Sequence, residues 1–413
     1  MKRRILRSLI ALVSGAMLGQ LLLVLATPIL SRIYDPAAFG AFSALVAITS
    51  VLGPVAALRF DAGIILPDQD DKARGLLRLA LVTSALASLA SALAVWGLST
   101  TIVGRAWALI PFAPLWAGVL VFATSVFTVL SQAALRRREY GVLARRSPFQ
   151  SAGTVVGQVG LGLAGAGALG LVAGFVLGRF FGFVPLFRTV RPLLARPNID
   201  SYRGLVKEYR RLPLSLASAA LVSSLGAQIP LLLVASYFGE AAAGEYGMAQ
   251  RLIGIPATLL GASVAQVFGA ELASLVRGNL AGARRLYLQA SARLSVIGAG
   301  VAITIVLLAP PILPLVLGEG WGDTAAIAQA ISLVAAASLV GSPLSQVYTV
   351  YQSWATIVVD LIRIALLGCA WVGVLLADAT LIGASWALSI GQTAGYIVLW
   401  SYGLRLVSRR ETP

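Results

Sequence analysis

The sequence predicts an all-α membrane protein of about twelve transmembrane helices, arranged as two six-helix bundles. Of the 413 residues, 58% are hydrophobic and only 12% are charged, against roughly a quarter charged in soluble domains. A soluble protein of this composition would have too few polar side chains to cover its surface. The apolar residues form continuous runs, and the basic residues lie between those runs. Both patterns are typical of a chain that crosses a bilayer repeatedly.

Twelve segments have the length and composition of a membrane-crossing helix, which needs about 20 apolar residues. Isolated strands are excluded, because lipid cannot satisfy the open edge of a sheet. A barrel is disfavoured because the runs lack alternation with period two. The segments are approximately 9–30, 38–58, 76–99, 111–134, 148–168, 170–188, 212–236, 246–270, 286–308, 325–347, 355–376 and 381–403.

The first segment follows a basic head, as the apolar region of a signal peptide does. Its apolar stretch of about twenty residues exceeds the usual length of such a region, and no clear small-x-small cleavage site follows. We therefore predict an uncleaved first transmembrane helix.

The basic residues orient the predicted helices in the membrane. With the amino terminus in the cytoplasm, nearly all lysines and arginines outside the spans fall on the inner side, and only Arg32 and Arg105 fall outside. Twelve spans then return the carboxyl terminus to the cytoplasm. Membrane topology thus explains the net charge of +16 better than nucleic-acid binding does. Four arginines lie within or near the spans: Arg179, Arg251, Arg293 and Arg363.

Several kinds of chemistry are excluded by residue type. The chain has no histidine, and Cys369 is its single cysteine, so no disulfide framework or cysteine metal site can form. The outer segments are short, which leaves no room for a soluble catalytic domain. We predict a non-enzyme without cofactor or metal.

A faint internal repeat divides the chain into halves. "RIYDPAAFGAF", from Arg32, aligns with "SYFGEAAAGEYGMA", from Ser236, so that Gly40 matches Gly244 and Phe42 matches Tyr246. Each turn joins the first and second span of a six-span half, which predicts two bundles related by an axis along the membrane normal. The predicted domains are an amino-terminal bundle, a basic cytoplasmic linker and a carboxyl-terminal bundle, at 1–190, 191–211 and 212–413.

Four stretches carry a resemblance to a known family. They are "SRIYDPAAFGAF", "AALRFDAGIILPDQDDKA", "GEGWGDTAAIAQ" and "SPLSQVY", which begin at Ser31, Ala56, Gly318 and Ser342. In this order along nearly the whole chain, they resemble the oligosaccharide flippase, or O-antigen exporter, branch of the multidrug/oligosaccharidyl-lipid/polysaccharide (MOP) superfamily. The motifs identify the branch better than the cargo.

The resemblance implies a function as well as a fold. It implies two six-helix bundles around a central cavity that opens alternately to each side of the bacterial cytoplasmic (inner) membrane. The implied cargo is an oligosaccharide on an undecaprenyl pyrophosphate carrier, used for surface polysaccharide such as lipopolysaccharide. The partners would be this lipid-linked substrate and the bilayer, with no nucleic acid, and the fold can act as a monomer.

Such a cargo requires cations for its phosphates, and arginine suits them because its planar fork donates two parallel hydrogen bonds. Arg59, Arg251, Arg32 and Arg179 are the candidates. Each also has a structural explanation. Arg59 could reach the headgroups from the end of the second span, Arg32 could anchor a helix end, and Arg179 could be enclosed by small packing residues. Arg251 lies inside the eighth predicted span, where reaching the headgroups is harder.

Coupling to H⁺ or Na⁺ would need carboxylates, because the chain has no histidine. Asp360, Asp61 and Glu271 are the candidates. Asp360 and Arg363 are one helical turn apart, and an ion pair between them is the structural alternative. Whether transport is coupled stays open.

Two other functions stay open. A multidrug exporter of the same superfamily would favour acidic and aromatic residues over arginine in its cavity. A membrane polysaccharide polymerase or ligase would be expected to have a long outer loop with clustered arginines or histidine, which this chain lacks.

Overall fold

The computed structural model describes residues 2–195, 198, 201–278, 282–351 and 355–411. The side chains of residues 2–13, 102–103, 255–260, 262–263 and 409–411 lie outside the description. Within the described part, the chain is built of helices and turns and contains no strand. This confirms the all-α class.

The helices follow the hydropathy pattern of the sequence. In chain order they are α1 Lys2–Leu25, α2 Thr27–Ile33, α3 Pro36–Ala56, α4 Phe60–Gly63, α5 Asp70–Leu98, α6 Ala113–Arg136, α7 Tyr140–Leu163, α8 Gly167–Val190, α9 Tyr202–Glu208, α10 Ser218–Phe238, α11 Glu240–Arg277, α12 Ala283–Leu317, α13 Thr324–Leu344, α14 Gln346–Val350, α15 Ala355–Leu376 and α16 Leu381–Glu411. Short 3₁₀ segments cover Ile102–Trp107 and Arg191–Leu194, and a π-helical turn covers Leu212–Ala217.

Each of the twelve predicted spans falls on a helix or on two consecutive helices. Nine helical stretches in the described residues are long and apolar enough to cross a membrane, which makes the chain a multi-pass membrane protein. The number of crossings beyond nine and the cytoplasmic location of both termini stay predictions. The nine stretches are Ser14–Ile33, Pro36–Gly63, Asp70–Leu98, Ala113–Arg136, Gly167–Leu194, Leu212–Phe238, Ala283–Leu317, Thr324–Val350 and Ala355–Leu376.

The turn between α2 and α3 is held by the polar residues of the repeated motif. The Asp35 side chain accepts a hydrogen bond from the Ala38 amide at 2.7 Å and so caps α3, which begins with Pro36. The buried Tyr34 hydroxyl donates to the Gln158 carbonyl oxygen of α7 at 2.6 Å. The turn is therefore anchored to α7 near the carboxyl end of that helix.

The pair α7–α8 is packed through glycine. A Cβ at Gly157 would meet the Gly174 backbone at 2.8 Å, and one at Gly178 would overlap the Thr154 side chain. Small residues let two membrane helices approach closely. The helix α7 covers Tyr140–Leu163, earlier than the predicted 148–168, because Gly165 and Gly167 adopt positive φ and turn the chain there.

The chain divides into two compact units, Met1–Gly244 (unit 1) and Glu245–Pro413 (unit 2). Unit 1 includes α10, which packs against α3. The predicted linker 191–211 contains α9, whose Leu205 is buried in the apolar core of unit 1. The predicted bundle boundaries at 190 and 212 stay predictions.

Candidate functional site

The second span ends in an irregular segment that positions Arg59 and Asp61. Leu58 and Arg59 have left-handed backbones with φ of 46° and 60°, a conformation that is uncommon for non-glycine residues. These two residues separate α3 from the short α4, which contains Asp61. Asp61 is 2% exposed. The segment therefore buries a carboxylate two residues from a half-buried guanidinium.

Arg59 and Asp61 are close without forming an ion pair. The charge of Arg59 acts on the Asp61 carboxylate, yet the Arg59 Nε and the Asp61 Oδ1 are buried and have no hydrogen-bond partner in the part of the chain that the structure describes. Each side chain thus keeps polar capacity that a ligand could use.

Arg179 of α8 lies in a second basic cluster, together with Arg146 of α7. The guanidinium carbon of Arg179 lies 5.3 Å from the ring centroid of Phe127 and 4.8 Å from that of Phe175. The guanidinium carbon of Arg146 lies 5.1 Å from the same Phe127 centroid, and one of its nitrogens donates to the Ser131 Oγ. We call Arg146, Arg179 and Phe127 the diarginine cluster.

Small residues make room for the diarginine cluster. A Cβ at Gly182 would lie 2.6 Å from the Phe127 ring, so glycine at this position lets the ring fit against α8. Phe127 belongs to the buried core of unit 1, together with Leu130 and Leu186. The two arginines are therefore held against a fixed aromatic ring.

The remaining predicted site residues of unit 1 and unit 2 lie in different environments. Arg32, in the last turn of α2, is exposed. Arg251 lies in α11 and is half-buried, and Glu271 of the same helix is exposed. Within the described residues of unit 1, no hydrogen bond or ion pair joins Arg179 to Arg59 or to Asp61.

Asp360 and Arg363 form an ion pair on α15. The Arg363 guanidinium lies 3.1 Å from Asp360 Oδ1, and both side chains are almost fully buried. The same guanidinium lies 5.8 Å from the ring centroid of Tyr396. Gly395 gives it space, since a Cβ there would lie 2.4 Å from the Arg363 side chain. The ion pair expected as the structural alternative is thus observed, and a role of Asp360 in ion coupling stays a prediction.

A polar cleft of about 790 Å³ opens at the end of unit 1 where α6 leads into α7. Arg136 organises its wall: the guanidinium donates to the carbonyl oxygens of Ile64 and Asp68, each at 3.2 Å, and forms an ion pair with Asp70 at 2.8 Å. The exposed Arg137 and Arg138 also line this cleft. Arg136 therefore stabilises the loop from Ile64 to Asp70. The exposed Arg137 and Arg138 add positive charge to the surface of the cleft.

Unit 2 has a smaller cavity of about 450 Å³ among α12, α13 and α16. Tyr396 and Trp400 line it, and the Trp400 indole donates to the Ser291 Oγ at 2.9 Å. Among the described residues, no group of histidine, cysteine and acidic side chains could hold a metal ion.

The sequence context of Arg146 does not mark it as a site residue, because it lies in a basic stretch that membrane orientation explains. The helical spacing of α7 gives one indication that Arg146 faces α8. Residues 146, 150, 153 and 157 lie on one face of α7, and Gly153 and Gly157 of that face pack against α8. This period places Arg146 on the side of α7 that faces Arg179, once α7 is known to begin at Tyr140.

The family model described as "Polysaccharide biosynthesis protein" matches residues 29–326, which is more than half of the chain. No curated protein sequence matches the chain significantly.

Solved structures share the fold at low sequence identity. An inward-facing multidrug resistance MATE family transporter of the MOP superfamily has a TM-score of 0.72 at 17% identity, covering 95% of each chain. The lipid II flippase MurJ, in an inward closed conformation, has a TM-score of 0.72 at 14% identity, covering 98% of this chain and 90% of its own. A MOP superfamily transporter from Pyrococcus furiosus has a TM-score of 0.64 at 17% identity, covering 98% and 96%. The chain therefore has the MOP transporter fold.

Proposed function

Because the chain belongs to the polysaccharide biosynthesis protein family, we propose that it is a flippase for a lipid-linked oligosaccharide. The proposed cargo is carried on undecaprenyl pyrophosphate and crosses the bacterial cytoplasmic membrane by alternating access. Export of this cargo would supply surface polysaccharide, of which O-antigen is one class. The MOP transporter fold supports the transport step.

The chemistry of the cargo sets what the protein must supply. The lipid tail can stay in the bilayer, whereas the diphosphate and the sugars cannot cross hydrocarbon at a useful rate. A charged side chain placed at mid-membrane costs at least about 2.5–3.5 kcal/mol on insertion scales, so it is seldom without a role. Arginines on the path can compensate the charge of the diphosphate with paired hydrogen bonds.

The observation that carries this proposal is that two arginines of the membrane segments of unit 1 form no ion pair with a carboxylate in the described residues. In the described residues, neither Arg59 nor Arg179 forms an ion pair within 4.0 Å, and the Nε of each is buried without a hydrogen-bond partner. Guanidinium groups in this state are suited to an anionic ligand that brings its own acceptors.

Each candidate side chain has a proposed role. Arg59, Arg179 and Arg251 are the proposed contacts for the diphosphate and the sugars of the cargo. The exposed Arg32 binds the headgroup at the outer side. Asp61, next to Arg59, orients that arginine or carries the coupling ion.

Ion coupling would act through one of three carboxylates. Asp360 is buried in its ion pair with Arg363, so a proton or a Na⁺ would compete with that arginine for the carboxylate. Glu271 is exposed and Asp61 is buried. If Asp360 carries the coupling ion, vesicles that contain the Asp360→Asn variant should lose ion-driven transport.

A multidrug exporter is the second candidate, because a multidrug transporter and a lipid flippase match the fold equally well. The sign of the buried charge separates the two. Unpaired guanidinium groups repel the cationic compounds that an acidic cavity would bind. Export of a cationic dye by the wild type, at a rate that Arg59→Ala and Arg179→Ala leave unchanged, would favour the multidrug function.

The test follows lipid-linked oligosaccharide in cells. A deletion strain is expected to accumulate lipid-linked oligosaccharide on the inner side and to lose surface polysaccharide, and the wild-type gene restores both. Arg59→Ala and Arg251→Ala should restore export poorly at normal protein level, whereas Arg105→Ala, at an exposed position of unit 1, should restore it fully. Normal surface polysaccharide in the deletion strain would refute the function.

A further inference from the structure

We infer that the diarginine cluster of unit 1 is a binding site for a phosphate-class oxyanion, formed by α6, α7 and α8 alone. The inference rests on the proposed function, since it names the chemical group that Arg179 would hold. It adds Arg146, Phe127 and Ser131 to the site, none of which follows from the repeat or from the sequence motifs.

The geometry brings two guanidinium groups to one ring. The guanidinium carbons lie 5.1 Å and 5.3 Å from the Phe127 centroid. These two distances to a shared point limit the separation of the carbons to about 10 Å. Within this limit, an oxyanion bound by either guanidinium lies in the electrostatic field of the other.

In the part of the chain that the structure describes, no ion pair compensates the charges of the cluster. Four ion pairs are found among the described residues, and none includes Arg146 or Arg179. Ser131 gives Arg146 one neutral acceptor, and the Nε of Arg179 has no partner. Two neighbouring cations in a medium of low dielectric repel each other, so an anion would stabilise the arrangement as well as fill its free donors.

The alternative is that the two arginines only stack on aromatic rings as packing elements. A ring face attracts a guanidinium, and Phe127 and Phe175 do so here. An aromatic ring carries no net charge and no lone pair in the plane of the guanidinium, so it leaves most N–H donors unsatisfied. Stacking therefore fixes the position of the two groups and leaves their hydrogen-bonding capacity for a ligand.

The oxyanion could come from a lipid diphosphate, from a phospholipid headgroup or from free phosphate, since all three present the same acceptor oxygens. The experiment uses the full-length protein in neutral detergent and measures its thermal melting against four probes. These are farnesyl diphosphate, farnesol, phosphatidylglycerol and inorganic orthophosphate. Farnesol keeps the lipid chain and lacks the phosphate.

The variants are Arg146→Gln, Arg179→Gln and the adjacent, exposed Arg145→Gln as the matched control. Farnesyl diphosphate should raise the melting temperature of the wild type and of Arg145→Gln, and farnesol should not. Each variant of the cluster should need at least tenfold more farnesyl diphosphate for the same shift. If the glutamine variants do not fold, Arg146→Lys and Arg179→Lys keep the charge, lose the planar fork, and should show a weakened response.

The probes separate the sources of the anion. Equal protection by phosphatidylglycerol supports the oxyanion site and assigns it to lipid phosphates in general. Protection by the diphosphate alone supports the site and assigns it to the cargo. Equal responses of wild type, Arg146→Gln and Arg179→Gln to all phosphate probes would overturn the inference.

Failure of the site and failure of the proposed function give different results. Unchanged binding in both cluster variants, with oligosaccharide accumulating in deletion cells, removes this site and leaves the flippase. Weakened binding in those variants, without accumulation in deletion cells, removes the flippase and leaves an anion site.

Discussion

Gly40 and Gly244 meet backbone to backbone, and each stands at the equivalent position of the internal repeat. A Cβ at Gly40 would overlap the carbonyl of Glu240 and the amide of Gly244, and a Cβ at Gly244 would overlap the carbonyl of Pro36. Glu240 is also the repeat equivalent of Pro36, so the contact is reciprocal. The two copies of the turn thus cross each other through the same residue in each copy.

The first prediction concerns this crossing. Gly40→Ala and Gly244→Ala should each lower the stability of the protein, because a methyl group at either position collides with backbone that cannot rotate away. Overpacking of this kind costs roughly 1–3 kcal/mol. The measurement is the thermal melting of the purified protein in detergent.

Gly160→Ala in α7 is the control, because a Cβ there meets no atom within 4 Å. It should be neutral or stabilising, since alanine is favoured over glycine inside a helix by roughly 0.5–1 kcal/mol. Equal melting temperatures for all three variants would show that α3 and the start of α11 can move apart at this contact without loss of stability.

The second prediction concerns the tyrosine of the same motif. Burial raises the pKa of Tyr34 to about 12, so its hydroxyl stays protonated and donates to the Gln158 carbonyl. Tyr34→Phe removes this donor and should destabilise the protein by about 0.5–1.5 kcal/mol. Chemical denaturation measures the difference, with the exposed Tyr202→Phe as control. An unchanged Tyr34→Phe protein would mean that water satisfies the carbonyl.

Hydropathy predicts where the helices lie, because a membrane-crossing run is on average far more apolar than its flanks. The bends were harder to predict. Leu58 and Arg59 adopt positive φ without any glycine, and only tertiary packing can hold such a conformation. The predicted span begins at 148, later than α7 itself. The first two turns of α7 contain Arg145 and Arg146, which lower the hydropathy of a stretch that is nevertheless helical.

The candidate site was predictable by residue type and less so by arrangement. An arginine inside an apolar run, as in the case of Arg179, is visible in any hydropathy plot. Its neighbour Arg146 does not stand out in this way. It lies next to a predicted inner loop, where the preference of arginine for the cytoplasmic side explains its presence equally well. The contact between them depends on the rotation of α7 against α8, which the glycines allow and no local sequence feature specifies.

The third prediction concerns Arg136, which ties the segment from Ile64 to Asp70 to the end of α6. Arg136→Gln should loosen this segment, because glutamine is shorter and cannot reach several carbonyl oxygens together. Hydrogen exchange of residues 64–70 should become at least several times faster. Arg137→Gln, at an exposed position next to it, should leave the exchange unchanged, and equal exchange in both variants would assign the fold of this loop to other contacts.

The fourth prediction is a pH dependence at Glu245. Burial raises the pKa of Glu245, and the charge of the nearby Asp323 adds to the rise. Hydrogen bonds from the Asp323 backbone and from Thr324 partly oppose it. The Thr324 hydroxyl donates one of these bonds, at 3.4 Å. Because the folded pKa lies above the unfolded one, the folded protein binds more protons between the two values. The contribution of this group to stability is full below the unfolded pKa and is lost as the pH rises through the folded pKa.

Glu245→Gln should therefore remove part of the rise in melting temperature that accompanies acidification from neutral pH. The exposed Glu319→Gln should keep that rise. Parallel melting curves for wild type and Glu245→Gln across this pH range would contradict the assignment.

The last prediction separates a structural from a coupling role for Asp360. Removing one partner of a buried ion pair leaves the other charge without its counterpart, which costs roughly 3–5 kcal/mol. Asp360→Asn should therefore be strongly destabilising, and Asp360→Asn combined with Arg363→Gln should recover much of the loss. A purely structural pair predicts that this double variant transports with unchanged dependence on an ion gradient, because no charge of the pair remains. A coupling role predicts that stability recovers while gradient-driven transport does not. The measurement is transport in vesicles made from the double variant, compared at equal amounts of folded protein, and a double variant that stays as unstable as Asp360→Asn would contradict the ion-pair argument itself.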